Sequence, residues 1–237
     1  TSDIANFSVN KKYNFFNPKG GLNYLFNNHN NLYFSFAKSN REPTRSDYES
    51  NPNIRSEQLN DFEFGWNLTK KKLNVTTNFY MMRYKNQLVL TGSIDDVGSP
   101  VRENSGESYR MGLEVETVFN LSDKISILAN SAFSDNKNKN FVTSIDGELV
   151  SLGKTNISFS PEIVSSLNLV YSPKENVVVS ILNKYVGEQY MSNTDSTFSK
   201  LDAYSVLDFN FNYDFKNTFF FSEIVLSALV SNLFGTK

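Results

Sequence analysis

The chain has 237 residues, a formal net charge of −2, no cysteine, and an aromatic content dominated by 21 Phe and 12 Tyr. The near-neutral balance gives no electrostatic case for a nucleic-acid partner, and the missing thiols exclude disulfides, thiolate metal sites and cysteine nucleophiles together. No apolar run reaches the roughly 20 residues of a transmembrane helix, so a membrane crossing by this chain would have to be made by strands.

The pattern along the chain is a repeated hairpin. Leu22, Tyr24 and Phe26 lead into a short turn at Asn27–Asn31, and Leu32, Phe34 and Phe36 lead away from it. A long segment, Asn40–Gln58, follows. The next hairpin has the clearest alternation: Phe62, Phe64, Trp66 and Leu68 against Asp61, Glu63, Gly65 and Asn67, then a lysine turn, then Leu73, Val75, Phe79 and Met81 against Asn74, Thr76, Asn78 and Tyr80. Period-two alternation places one set on each face of a pleated strand. Leu73 to Leu90 is expected to run as a single strand, spanning about 59 Å at ~3.3 Å per residue.

After a second long segment, Thr91–Glu107, the stretch Ser108–Asn120 alternates again, turns at Leu121–Lys124 and returns along Ile125–Asp135. A third long segment reaches about Ser160. Ile163, Leu167, Leu169 and Tyr171 then lead to the turn Ser172–Asn176, and Val177–Tyr190 leads away from it. A fourth long segment, Met191–Asp202, precedes Phe209, Phe211, Tyr213 and Phe215, the turn Lys216–Ser222 and a last strand over Glu223–Phe234. Ten strands result.

Short and long connections alternate strictly, so one end of the sheet carries turns and the other carries loops. Each strand entering a short turn has an aromatic on its apolar parity near the end: Phe26, Trp66, Phe119, Tyr171 and Phe215. Short turns at one end, long loops at the other and an interfacial aromatic belt characterise transmembrane barrels. The expected fold is therefore all-β, a transmembrane antiparallel up-and-down β-barrel in the outer membrane, with lipid as the partner of its apolar face. The polar parity (Asp61, Glu63, Asn74, Asn78, Arg110, Glu114, Glu116, Asp208 and Asn210) is expected to face the lumen. A soluble sandwich accommodates the alternation but not the asymmetry of the loops. A propeller would place about four short strands in each repeat, where this chain has two long ones.

No catalytic constellation emerges. His29, the single histidine, lies in a turn and alone supports neither a metal cluster nor a triad. Asp61, Glu63, Glu114 and Glu116 read as pore lining paired with Arg110, and Gly20-Gly21 lacks phosphate-loop spacing. We expect no enzyme activity, cofactor or metal. Ligand contact is expected at the long-loop end, from Arg41, Arg45, Asp47 and Tyr48, from Arg102 and Asn104 within Asp95–Asn104, and from Tyr190. Arg41 and Arg45 flank Pro43 and suit an anionic chelate or internal ion pairs, the latter slightly favoured by the nearness of Glu42 and Asp47 in sequence.

In order, the blocks SFAKSNREPTRSDY (35–48), LNDFEFGW (59–66), YKNQLVLTG (84–92), DDVGSPVREN (95–104), SYRMGLEVE (108–116), KYVGEQYMSNT (184–194) and SNLFG (231–235) resemble the C-terminal part of a TonB-dependent outer-membrane receptor of the Bacteroidetes type. The resemblance covers nearly the whole chain, read as one partial barrel domain. It implies a share of a 22-stranded, plugged barrel. It also implies TonB-energised import of a scarce ligand: a ferric siderophore, cobalamin or an oligosaccharide. A plug domain and TonB-contacting segment would precede Thr1 in the parent chain, and one closing strand would follow Lys237. The alternative is a small self-contained barrel with a structural or adhesive role.

Overall fold

The computed structural model describes residues 8–94, 98, 100–145, 148–216 and 220–236. The segments Asp95–Asn104 and Lys216–Ser222 therefore lie partly outside the described residues. The strands are β1 (Lys19–Asn27), β2 (Asn30–Arg41), β3 (Glu57–Thr69), β4 (Leu73–Lys85), β5 (Leu88–Ile94), β6 (Pro100–Asn104), β7 (Glu107–Ser122), β8 (Ile125–Ile145), β9 (Glu148–Asn156), β10 (Ile163–Lys174), β11 (Val177–Val186), β12 (Gln189–Tyr190), β13 (Lys200–Leu201), β14 (Tyr204–Lys216) and β15 (Glu223–Val230). Ten of them form one meander in the order β1-β2-β3-β4-β7-β8-β10-β11-β14-β15, with β9 prolonging the sheet beside β8. Each neighbouring pair is antiparallel.

The short connections are built by local polar bonds. Asn27 Oδ1 accepts from the His29 backbone N–H at 2.8 Å and from Asn30 Nδ2 at 2.9 Å, an Asx-type closure. The Ser122 hydroxyl accepts from the backbone of Lys124 and Ile125, each at 3.2 Å. His29 is a turn residue, its Nδ1 donating to the Thr69 carbonyl of the next turn at 3.0 Å. The long connections are more structured than their polarity suggests. They hold helix α1 (Arg45–Ser50), the hairpins β5–β6 and β12–β13, and the outward extension of β8 with β9.

Two of the expected strands break earlier than their pattern predicts. Leu73–Leu90 is not a single strand: β4 ends at Lys85, and Asn86 takes φ +55°. Asn tolerates the left-handed region better than most residues, and the kink releases Leu88 into a separate hairpin. The 13 residues of β4 still exceed the ~9–11 that a tilted spanning strand needs. The strand expected over Val177–Tyr190 likewise stops at Val186 and resumes briefly as β12.

The pairing register sorts the side chains into two faces. One cross-strand row reads Leu22, Phe34, Phe64, Phe79, Leu113, Phe133 and Ile163. A second, nearer the short turns, reads Leu73, Phe119, Ile127, Leu169, Ile181, Phe209 and Val230. These side chains are not in a core: Phe64 is 50% exposed and Phe133 48%. Among the described residues, the buried apolar side chains (Tyr48, Ile54, Leu88, Val89, Phe141, Ile157 and Val186) sit toward the long-loop end. A soluble sandwich would bury one face of each sheet. Leaving one large apolar side chain in water forgoes about 1.5–3 kcal/mol, so whole rows of them require an apolar covering.

The opposite face is polar and closely fitted at two glycines. A Cβ on Gly65 would lie 2.0 Å from the Tyr33 ring, and one on Gly112 would lie 2.4 Å from the Phe133 carbonyl oxygen and 2.7 Å from the Tyr80 hydroxyl. Tyr33 and Tyr80 thus lie over the bare backbone of neighbouring strands, a packing that requires glycine beneath.

Candidate functional site

The polar face carries Asp61, Glu63, Asn74, Asn78, Arg110, Glu114, Glu116, Asp208 and Asn210, all on the parity opposite the apolar rows. Glu63, Asn78, Arg110 and Glu114 converge on a cleft of about 340 Å³, roofed by Phe159, Ser160 and Pro161 from the β9–β10 connection. Asn78 Nδ2 donates to Glu114 Oε2 at 3.3 Å, and the Ser35 hydroxyl donates to Glu63 Oε2 at 3.2 Å. The expected pairing of Arg110 with these carboxylates is not formed. Arg110 Nη1 donates instead to the Ser160 hydroxyl at 2.8 Å, because the connection descends onto the sheet. Asn74 and Glu116 line a second cleft of about 370 Å³ toward the short-turn end. Asp208 Oδ1 accepts from the Asn232 backbone at 2.8 Å. Among the described residues Asp61 Oδ1 and Asn78 Oδ1 have no hydrogen-bond partner, so this face retains acceptor capacity.

At the long-loop end, α1 is closed by a capping box. Thr44 N–H and its hydroxyl both donate to Asp47 Oδ2 at 2.8 Å, while the Asp47 backbone N–H donates back to Thr44 Oγ1. Asp47 Oδ1 accepts from Arg102 Nη1 at 3.3 Å. Burial opposes its charge, but the Thr44 donors and the Arg102 guanidinium outweigh burial and hold the carboxyl below the usual aspartate range. Tyr48 packs with Ile54 and Leu88, against Tyr13. Its phenol is pushed up to about 12 by burial first and then by its hydrogen bond to the Tyr13 hydroxyl.

The seven loop residues expected to meet ligand therefore divide. Asp47 and Tyr48 are buried, at 3% and 5% exposure, and brace the loop. Asn104 is a staple, accepting from Arg55 N at 2.8 Å and donating to the Arg55 and Asn86 carbonyls. Arg41 pairs with Glu57 at 3.6 Å and Arg45 with Glu49 at 2.8 Å, both guanidiniums remaining more than half exposed. Arg102 is partly exposed beside Asp47. Tyr190, half-buried, lines a cleft with Lys137 and Glu188. The sequence pattern missed a polar knot that ties the β8–β9 extension to the β12 loop. Asn138, fully buried, donates to Thr155 and Asn193, and Asp195 accepts from the Asn156 backbone at 3.0 Å. An asparagine-rich stretch reads as a generic turn, and only the spatial pairing shows its use.

Asp47→Ala is expected to release α1 while leaving the sheet paired. Losing the carboxylate side of the capping box costs about 1 kcal/mol, and Arg102 loses its carboxylate. Hydrogen exchange should quicken at residues 44–51 and stay unchanged in β7. Because the folded carboxyl lies below its free value, its contribution is complete above about pH 4 and fades as pH falls through the folded value. Acidification should reproduce the substitution locally.

The five turn-end aromatics share the apolar face. Tyr171 follows Ile125 in one row, Phe119 lies between Leu73 and Ile127, and Phe215 faces Ile224. Trp66 Nε1 donates to Asn30 Oδ1 at 3.0 Å, and Phe26, Leu32 and Trp66 line one shallow cleft.

Comparison with known proteins adds a family and a fold. The family model described as "TonB dependent receptor-like, beta-barrel" matches residues 1–233. No curated protein matches. Among solved structures, the siderophore receptor PiuA from Acinetobacter baumannii is 20% identical with a TM-score of 0.68, over 91% of this chain and 31% of that one. The copper transporter OprC is 19% identical with a TM-score of 0.69, over 90% and 32%. The ferric-catecholate import receptor Fiu from K12 E. coli is 17% identical with a TM-score of 0.65, over 91% and 30%. The chain spans about a third of the length of each of these structures.

Proposed function

Because the chain belongs to the TonB-dependent receptor-like β-barrel family, a family of outer-membrane barrels and not of enzymes, we propose that its ten strands are part of the wall of a larger, plugged import barrel of about 22 strands. The observation that carries this is the inversion of the sheet: continuous rows of exposed Phe and Leu on one face, and carboxylates, amides and clefts on the other. On this reading Phe26, Trp66, Phe119, Tyr171 and Phe215 sit at the periplasmic lipid boundary. The polar set from Asp61 to Asn210 faces the lumen, where Glu63 and Glu114 offer anionic contacts to the plug domain of the same parent chain. Energy reaches the ligand through TonB, acting on that plug. The Bacteroidetes-type assignment rests on the ordered sequence blocks alone.

The imported ligand enters from the long-loop end. Arg41, Arg45 and Arg102 make an anionic metal chelate, a ferric siderophore foremost, the reading that the chemistry favours; cobalamin and oligosaccharides are the competing cargoes. The similar solved structures include siderophore receptors and a copper transporter. The test is binding and uptake of ferric siderophores, cobalamin and oligosaccharides by the full-length parent. Uptake of one of them should be abolished when the inner-membrane proton gradient is dissipated. A parent that binds none and instead mediates cell attachment contradicts importer function. In that parent, Arg41→Ala with Arg45→Ala should weaken an anionic chelate at least tenfold, since charge-assisted hydrogen bonds are worth about 1.5–3 kcal/mol each. Unchanged affinity removes both residues from the site.

A further inference from the structure

Toward the long loops the apolar face changes character within one row. The row Phe36, Phe62, Met81, Met111 ends in Asp135. The next reads Lys38, Asn60, Arg83, Tyr109 and Lys137. Beyond it Lys85 stands beside Glu107, which pairs with Lys139 at 3.1 Å. Lys154 of β9 joins the group, its Nζ 5.6 Å from the Tyr109 ring centroid. Three carboxylates, Glu107, Asp135 and Glu162, accompany these six cations, and they engage Lys137 and Lys139. Lys38, Arg83 and Lys85 have no ion pair among the described residues. In their row Lys38, Arg83 and Lys137 occur on every second strand, about 10 Å apart at ~4.8 Å per strand.

Depth fits a membrane boundary. From Leu73 to Arg83 on β4 is ten steps, about 33 Å along the strand. With the ~35–45° tilt of barrel strands this is roughly 25 Å along the membrane normal, the height of the outward apolar band. The cations therefore stand where hydrocarbon gives way to headgroups, and long basic side chains can lie along the apolar surface with their charge at the interface.

We infer that Lys38, Arg83 and Lys85, backed by Lys137, Lys139 and Lys154, form a docking surface on the outside of the barrel for the phosphate groups of an anionic outer-leaflet glycolipid. This rests on the barrel orientation proposed above, which makes this face external and this end the cell-surface one. The cations lacking carboxylate partners supply the charge complementarity, and Asn60 supplies a neutral donor in the same row. Juxtaposed basic residues attract anionic lipid additively.

The test uses the full-length parent in nanodiscs of zwitterionic phosphatidylcholine containing a minor fraction of diphosphoryl lipid A, with retained lipid counted by native mass spectrometry. Lys38→Gln, Arg83→Gln and Lys85→Gln together should lower lipid A affinity on the order of 100-fold. The matched variant Lys70→Gln, Lys71→Gln and Lys72→Gln, at the short-turn end, should leave it unchanged. Both should keep the heat-sensitive gel mobility of a folded barrel. Wild-type retention by the first variant overturns the inference, as does equal loss in the second. Displacement by inorganic phosphate at equal phosphate concentration would also overturn it, showing a free-anion site instead of a lipid surface. Failure of the wild type to insert even into phosphatidylcholine would count against the barrel reading itself, and with it this inference.

Discussion

Phe79→Arg is expected to shift the folding equilibrium of the full-length parent into vesicles by ~2–4 kcal/mol against the inserted state, the cost of a basic side chain on the lipid face near the midplane. Asn78→Arg, one residue earlier, is expected to cost far less. Phe79 stands in the row between Phe64 and Leu113, among side chains that the protein leaves exposed. Asn78 turns to the other face and touches Glu114, where a guanidinium meets a carboxylate. Urea titration of membrane-inserted protein reads the difference directly. Equal penalties at both positions would mean that the two faces are not chemically distinct.

Gly112→Val is expected to be the second large effect. Its Cβ would meet the Phe133 backbone carbonyl and the Tyr80 hydroxyl together, and a backbone oxygen cannot rotate away. Overpacking of this kind costs typically ~1–3 kcal/mol, and more when the obstacle is rigid. Gly65→Ala presents the contrast, since the obstructing atoms belong to the Tyr33 ring. Pairing it with Tyr33→Ala should restore stability, whereas Tyr80→Ala should rescue Gly112→Val only in part. Equal, complete rescue in both pairs would contradict the backbone clash at Gly112.

Much of this architecture is legible in the sequence because strand parity is a local property. Phe62, Phe64 and Trp66 announce their face by alternation alone, and the ten-strand meander follows from the rhythm of short and long connections. The breaks were less visible. Asn86 lies inside an apolar, aromatic-rich stretch whose composition predicts continued strand, and nothing short of its positive φ marks the exit. The loop end was least legible. Arg41 and Arg45 read as ligand contacts or, slightly better, as ion pairs with Glu42 and Asp47, yet their partners are Glu57 and Glu49, the former brought close only by the β2–β3 register. Asp47 illustrates the same limit. A capping-box aspartate is readable from spacing, but its burial against Arg102, 55 residues away, depends on the β5–β6 hairpin folding over α1.

The central claim is that Met111, Leu113 and Val115 face lipid while Arg110, Glu114 and Glu116 face water. Cysteine scanning along β7 tests it most directly, because the chain contributes no cysteine of its own. In outer membranes carrying the full-length parent, cysteines at 111, 113 and 115 should react with a lipid-soluble maleimide and resist a charged aqueous one. Cysteines at 110, 114 and 116 should show the opposite preference. Reversed preferences, or aqueous labelling at every position, would contradict a membrane barrel in this register.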